Sequence, residues 1–187
     1  MDRTWLRSRP GRLLLAGSLL TALILGVIVV VVHRVSSPRP ASVVVTAALS
    51  DEQSRQQVLE PARHFVGAGR MRSVNAGYLL SSCASEEQPP YQGLVYLNFD
   101  VPAVAQTRAY FAEIANAMVA RGWREGLPPG RHPGGRTMVK DGMYAVYYRD
   151  PDLPGRGVLK LYGECRNVTD HRQDTTGFVD VSGEVGG

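Results

Sequence analysis

Two cysteines are the residues of this chain most able to do chemistry. Cys83 lies in "LLSSCASEEQPPY" (79–91), and Cys165 lies 82 positions later at the end of "VLKLYGEC" (158–165). A nucleophilic thiol needs a base that makes the thiolate, and none of the four histidines has a local signature that nominates it for that role. Zinc needs clustered thiolate or imidazole ligands, and the sequence has no C-x-x-C or paired-histidine spacing.

Lipid attachment and disulfide formation are the two other possible roles of Cys83. The stretch "LSSC" (80–83) resembles a lipoprotein attachment box, but no apolar signal core directly precedes it. Outside the cytoplasm an even cysteine count favours a disulfide, and two strand ends of one small sheet can meet at a Cα separation of about 4.4–6.8 Å. We therefore predict a Cys83–Cys165 disulfide, on the condition that the domain lies outside the cytoplasm.

Two loops hold the polar residues that are candidates for ligand binding. In "REGLPPGRHPGGR" (124–136) a set of basic side chains could meet an anionic group: Arg124, Arg131, His132 and Arg136. The loop at 84–92 adds Glu86, Glu87 and Tyr91. For both loops, a flexible solvated connection is the competing interpretation.

Tyrosines are frequent in the predicted strands and resemble a platform for stacking sugars or peptides. They are Tyr78, Tyr96, Tyr144, Tyr147, Tyr148 and Tyr162. Tyrosine also suits strands that lie between core and water, and alternation puts Tyr147 and Tyr148 on opposite faces. We therefore favour a structural role for these side chains.

Catalytic and metal-binding motifs are missing from the sequence. The patterns G-x-S-x-G, S-x-x-K with its partners and H-E-x-x-H do not occur. We therefore expect no catalytic residues, no metal site, no cofactor and no enzymatic activity.

Residues 13–32 form an apolar segment of transmembrane length. "LLLAGSLLTALILGVIVVVV" carries no charge and would span about 30 Å as a helix. A cleavable signal peptide is the alternative, although its apolar core usually runs about 7–15 residues. Four arginines precede the segment and two follow it closely, which favours a cytoplasmic tail at 1–12. We predict a single-pass protein of the cell membrane, with a linker at 33–47 and the rest outside the cytoplasm.

The charge balance argues against nucleic-acid binding despite a sequence pI near 9.3. Residues 43–187 contain 15 Lys and Arg against 16 Asp and Glu, so the basic excess belongs to the membrane flanks. No patch of clustered basic residues with interleaved aromatics occurs in this part, so we expect no nucleic-acid partner.

The hydrophobic patterns predict an α+β domain at 48–182, followed by a flexible tail at 183–187. Ser50 and Gln53 form a capping box ahead of a first helix, which Pro61 should kink or divide. Strands are expected at 76–82 and 93–99, and a second helix capped by Asp100 follows them. Three more strands come after that helix, and the first two are joined by a hairpin turn at Asp141-Gly142. The order α-β-β-α-β-β-β, with a possible late strand at 177–181, predicts an antiparallel sheet with two helices on one face, a two-layer sandwich.

This element order, with the positions of Cys83 and Cys165 and the ending "LYGEC" (161–165), resembles small actinobacterial envelope proteins of the mycobacterial LppA-like lipoprotein type. The resemblance covers residues 48–168. Unlike that family, this chain begins with an uncleaved anchor in place of a lipidated cysteine. The resemblance implies envelope placement and the fold, and it carries no activity.

The combined reading is a membrane-anchored envelope protein whose outer domain binds or supports a protein partner without catalysis. The bilayer itself is the partner of Leu13 to Val32. The alternative is a domain that binds a cell-wall fragment or small ligand through the loops at 84–92 and 124–136, and an enzyme is the least favoured class.

Overall fold

A computed structural model describes residues 47–84, 88–174 and 177–186. The predicted cytoplasmic tail, the transmembrane segment and nearly all of the predicted linker lie outside these residues. In the described ranges, no helix has both the length and the apolar character needed to cross a bilayer.

The observed elements follow the predicted order and add three short ones. In chain order they are α1 (Asp51–Gly69), β1 (Asn75–Ser82), β2 (Tyr91–Asp100), α2 (Val104–Val119), β3 (Arg124–Glu125), β4 (Arg136–Lys140), β5 (Met143–Arg149), β6 (Arg156–Tyr162), β7 (Val179–Asp180) and α3 (Ser182–Val185). The additions are β3, β7 and α3, and β7 falls within the late strand considered at 177–181.

Helix α1 begins at the predicted capping box. The Ser50 hydroxyl accepts a hydrogen bond from the Gln53 amide at 3.2 Å, and the Gln53 side chain accepts one from the Ser50 amide at 2.9 Å. The helix remains continuous over 19 residues with Pro61 inside it, so of the two expected alternatives, a kink or two shorter helices, the second is wrong. It ends where Arg70 adopts a left-handed conformation and its amide bonds to carbonyls of the last turn.

Helix α2 has no side-chain cap, and the predicted role of Asp100 is wrong. Ala103 occupies the N-cap position. Asp100 instead ends β2, opposite Arg156 of β6, and its carboxylate accepts hydrogen bonds from Ser73 and Arg156. These two donors hold the pKa of Asp100 below its usual value.

The seven strands form one antiparallel sheet with the order β3-β4-β5-β6-β2-β1-β7. Strands β4 and β5 are joined at Asp141 and Gly142, whose φ angles of 46° and 79° confirm the predicted hairpin turn.

Both long helices cover the same face of the sheet. The ring of Tyr147 in β5 contacts Phe65 of α1 at a centroid distance of 5.8 Å and Phe111 of α2 at 5.3 Å. Its hydroxyl donates to the Phe111 carbonyl at 3.1 Å. A Cβ at Gly93 in β2 would lie 2.3 Å from the Ser54 carbonyl oxygen, so α1 lies directly against the backbone of β2. The core therefore fills the layer between the helices and this face.

The predicted disulfide is present. Cys83 and Cys165 are bonded, with their Cα atoms 6.0 Å apart. Cys83 follows β1 and Cys165 follows β6, and β2 lies between those strands in the sheet. The bond therefore crosses the beginning of β2 at one end of the sheet.

Candidate binding surfaces

The two loops proposed from the sequence lie at opposite ends of the sheet. Tyr91 begins β2 at the end that holds the disulfide, opposite Ser82. Arg136 begins β4 opposite Tyr147, near the end of β5. Because β2 and β5 both run antiparallel to β6, the end of β5 lies away from the beginning of β2. The structure therefore does not bring the two loops together in one site.

The basic residues of the loop at 124–136 have different surroundings. Arg124 and Arg131 are exposed, and Arg136 forms an ion pair with Glu125 on the adjacent strand. The His132 ring stacks on Tyr148 at a centroid distance of 3.4 Å. Burial there, followed by the charges of Lys160 and Arg131, lowers the pKa of His132. His132 is therefore a neutral ring that packs on the sheet at pH 7.

The residues of the loop at 84–92 are only partly described. Glu86 and Glu87 lie outside the described residues. Tyr91 is 3% exposed, with its ring edge-on to His171 at a centroid distance of 5.0 Å. Its backbone exchanges two hydrogen bonds with Asn167. Tyr91 is thus a buried residue beside the disulfide.

The sheet face opposite the helices is rich in tyrosine. Leu97, Leu159 and Tyr147 are cross-strand partners on the helix-covered face, so the residues beside them in sequence point the other way. This second face, which we call the open face, carries Tyr96, Tyr144, Tyr148, Lys160 and Tyr162. Tyr78 and Tyr147 lie on the helix-covered face, as alternation requires.

The open-face tyrosines pack against neighbours on adjacent strands. Tyr144 and Tyr162 stack at a centroid distance of 4.4 Å, and the Lys160 ammonium lies 5.5 Å from the centre of the Tyr96 ring. These contacts support the structural role favoured for the tyrosines. Exposure differs among the rings, since Tyr144 is 38% exposed whereas Tyr148, which lies beneath His132, is 7% exposed. Among the described residues Lys160 forms no ion pair, so the face carries an unmatched positive charge.

A cleft of about 510 Å³ lies at the outer edge of β1. One wall is formed by residues 79–82 with Tyr78, and the other includes His171, Asp174 and Val179. The Tyr78 hydroxyl is buried and has no hydrogen-bond partner among the described atoms. Burial raises the pKa of Tyr78 to about 12, so this phenol keeps its proton at neutral pH.

His171 fixes the outer wall of the cleft. Its Nδ1 lies 2.8 Å from the Asp174 carboxylate and its Nε2 lies 3.1 Å from the Asp51 carboxylate. Both ring nitrogens therefore contact carboxylates, one on α1 and one on the segment before β7. The described residues hold no group of three or more His, Cys, Asp or Glu side chains that could bind a metal ion. Sequence reasoning missed this cluster because Asp51 and His171 lie 120 positions apart with no local motif.

Comparison with known proteins gives one family. The family model described as "Putative lipoprotein LppJ" matches residues 50–184. Proteins with the same description from two strains of Mycobacterium tuberculosis and from Mycobacterium bovis are each 40% identical over 126 residues, which is 67% of this chain. The matched region spans 66% of the length of those relatives.

The resemblance to mycobacterial lipoproteins is confirmed, but the family that matches is LppJ, whereas the element order had suggested an LppA-like type. No solved structure matches the chain.

Proposed function

Because the chain belongs to the "Putative lipoprotein LppJ" family, we propose that it is a cell-envelope protein whose folded domain binds a protein partner without catalysing a reaction. The observation that carries this proposal is the open face of the sheet. One face is covered by two helices, whereas the other presents three partly exposed tyrosines beside Lys160: Tyr96, Tyr144 and Tyr162.

The composition of the open face suits a protein interface. Tyrosine is enriched in protein interfaces because it contributes a large contact area with little loss of conformational freedom. The pKa values of Tyr96, Tyr144 and Tyr162 are raised by burial, so their hydroxyls stay protonated at neutral pH.

The anchor is proposed to be the apolar segment at 13–32. Both cysteines in the sequence are joined to each other, so neither supplies a free thiol for lipid attachment. Their bond also suits an oxidising compartment outside the cytoplasm. A reporter fused to the C-terminus, active only outside the cytoplasm, should be active, and the isolated protein should keep the mass of residues 13–32 without added lipid. Activity of a cytoplasm-only reporter would refute this orientation.

Site-specific photocrosslinking tests the protein-binding proposal. A photoreactive phenylalanine analogue replaces Tyr144 on the open face, or, as the matched control, Glu113 on the exposed surface of α2. After irradiation of intact cells, we expect a discrete adduct from position 144 and none from position 113. The same partner should be captured from position 162.

Two outcomes would reject the proposal. The first is equal labelling from positions 144 and 113, which indicates collision without a specific surface. The second is the absence of any protein adduct from the open face. A partner captured from positions 144 and 162 should also bind the purified chain, and Lys160→Glu should weaken that binding because it reverses the charge of the face.

Binding of a cell-wall fragment or small ligand is the second candidate function. The cleft at the edge of β1 favours it, since about 510 Å³ lies within the range of small-molecule sites. Purified muropeptides should then raise the melting temperature of the wild-type chain, and that shift should be lost in Tyr78→Phe if the buried hydroxyl contacts the ligand.

A further inference from the structure

Strand β1 is only partly paired on its outer side. It has β2 on one side over its whole length of eight residues. On the other side β7 pairs with Gly77 and Tyr78 alone. No strand among the described residues pairs with the outer side of β1 from Leu79 to Ser82, and the cleft lies there.

The directions of the backbone groups along this edge follow from two hydrogen bonds. The Val181 amide donates to the Ala76 carbonyl at 2.9 Å, so the backbone of Ala76 points to the outer side. The Cys83 amide donates to the Pro90 carbonyl at 2.9 Å, on the β2 side. Because these directions alternate along a strand, Leu80 and Ser82 point their N–H and C=O groups outward.

This arrangement matches what an extended peptide requires. Outward-facing residues two apart repeat every 6.6 Å or so, which is the spacing at which an added strand presents its own donors and acceptors. The opposite wall of the cleft is held in place by His171 between two carboxylates. Leu79 and Leu80, both half-buried, supply apolar surface along the edge.

We propose that an extended segment of a protein partner binds in this cleft as an added strand, hydrogen-bonded to the backbone of Leu80 and Ser82. Strand addition rests on the proposed protein-binding function and specifies how the partner is recognised. The short β7 strand already pairs with the same edge, and the added strand continues that pairing towards Ser82. The main chain provides the attraction, and alternating apolar side chains of the segment meet Leu79 and Leu80.

The variant Leu80→Pro tests the role of the backbone. Proline removes the outward N–H of residue 80, and an edge strand tolerates proline where the lost N–H faces away from the sheet. Leu80→Ala is the matched control because it shortens the side chain and keeps the N–H. The probe is a phage-displayed library of random peptides of about twelve residues, panned on the full wild-type chain.

We expect enriched peptides with alternating apolar residues that bind wild type and lose at least about tenfold more affinity for Leu80→Pro than for Leu80→Ala, because the alanine variant removes only the apolar contact of residue 80 and keeps its N–H. Circular dichroism checks that Leu80→Pro folds. Independently of any variant, N-methylation of the peptide amides that face β1 should abolish binding, and methylation of the alternate amides should preserve it.

No enriched peptide, or binding that is unaffected by methylation of either set of amides, would overturn strand addition. The proposed function fails separately, when the crosslinks from positions 144 and 162 are absent. A partner captured through the open face whose binding persists in a folded Leu80→Pro variant would refute strand addition and leave the proposed function standing.

Discussion

Removal of the Cys83–Cys165 bond is expected to destabilise the domain strongly. The two residues are 82 positions apart, and closing a loop of that length lowers the entropy of the unfolded chain by an amount worth about 4.5 kcal/mol at 25 °C. A domain of this size has a free energy of unfolding of about 5–15 kcal/mol. The variant with both cysteines changed to serine should therefore lose about 30% or more of its free energy of unfolding.

Urea unfolding followed by tryptophan fluorescence measures this loss. Trp123 is 3% exposed and contacts Phe65 at a centroid distance of 5.4 Å, so its emission reports on the core. At a slope of about 2 kcal/mol per molar urea, the midpoint should fall by about 2 M, and the melting temperature should fall by about 15 °C. The slope itself should rise, because the unfolded chain without the crosslink is more expanded.

The wild-type chain under reducing conditions is the matched control. It should reproduce the stability of the double serine variant, because both lack the bond and differ only in one atom at each of two exposed positions. A loss of less than about 1 kcal/mol in both samples would refute the argument from the unfolded chain. A loss in the serine variant alone would assign the effect to the serine side chains.

Three further predictions concern packing, hydrogen bonding and pH. Gly93→Ala should destabilise the domain by about 3 kcal/mol or more, because its Cβ would lie 2.3 Å from a carbonyl oxygen of α1. The control is Gly155→Ala, where no atom lies within 4 Å of the new Cβ. It should change the free energy of unfolding measured in urea by less than about 0.5 kcal/mol. Tyr147→Phe should lose about 1 kcal/mol, because it removes the buried hydrogen bond to the backbone of α2, and unchanged urea stability would contradict this. In an alkaline absorbance titration, Tyr78 and Tyr110, whose pKa values burial raises to about 12, should ionise well after exposed tyrosines. Because these phenols hold their protons more tightly in the folded state, the stability they contribute is complete below the unfolded pKa of about 10 and is lost as the pH rises through 12. Full ionisation of all tyrosines near pH 10.5 without unfolding would refute their burial.

The elements that the sequence predicted well are those fixed by local patterns. The capping box at Ser50 needs only residues three apart, and the turn at Asp141-Gly142 needs only two residues that tolerate positive φ. The disulfide was predictable because the sequence has only two cysteines, one directly after a predicted strand and one at the end of another. Asp100 was assigned wrongly because its partners, Ser73 and Arg156, lie far away in sequence.

The candidate surfaces depend on strand order, which local patterns do not determine. The tyrosines of the open face share one side only because β2, β6 and β5 are neighbours in a particular register. The loops at 84–92 and 124–136 lie apart for the same reason. Two-residue strands such as β7 carry too few residues for an alternating pattern, so the partly paired edge of β1 was not predictable either.

The position of the disulfide also determines how the domain responds to mechanical tension. When the two ends of the chain are pulled apart, force travels from the N-terminal side through α1 and β1 to Cys83, crosses the covalent bond to Cys165 and leaves through β7 and α3. Strands β2 to β6 and helix α2 lie in the bypassed loop and carry no direct load. Tension can therefore draw out α1, β1, β7 and α3, but it cannot extend the loop between Cys83 and Cys165 while the covalent bond is intact.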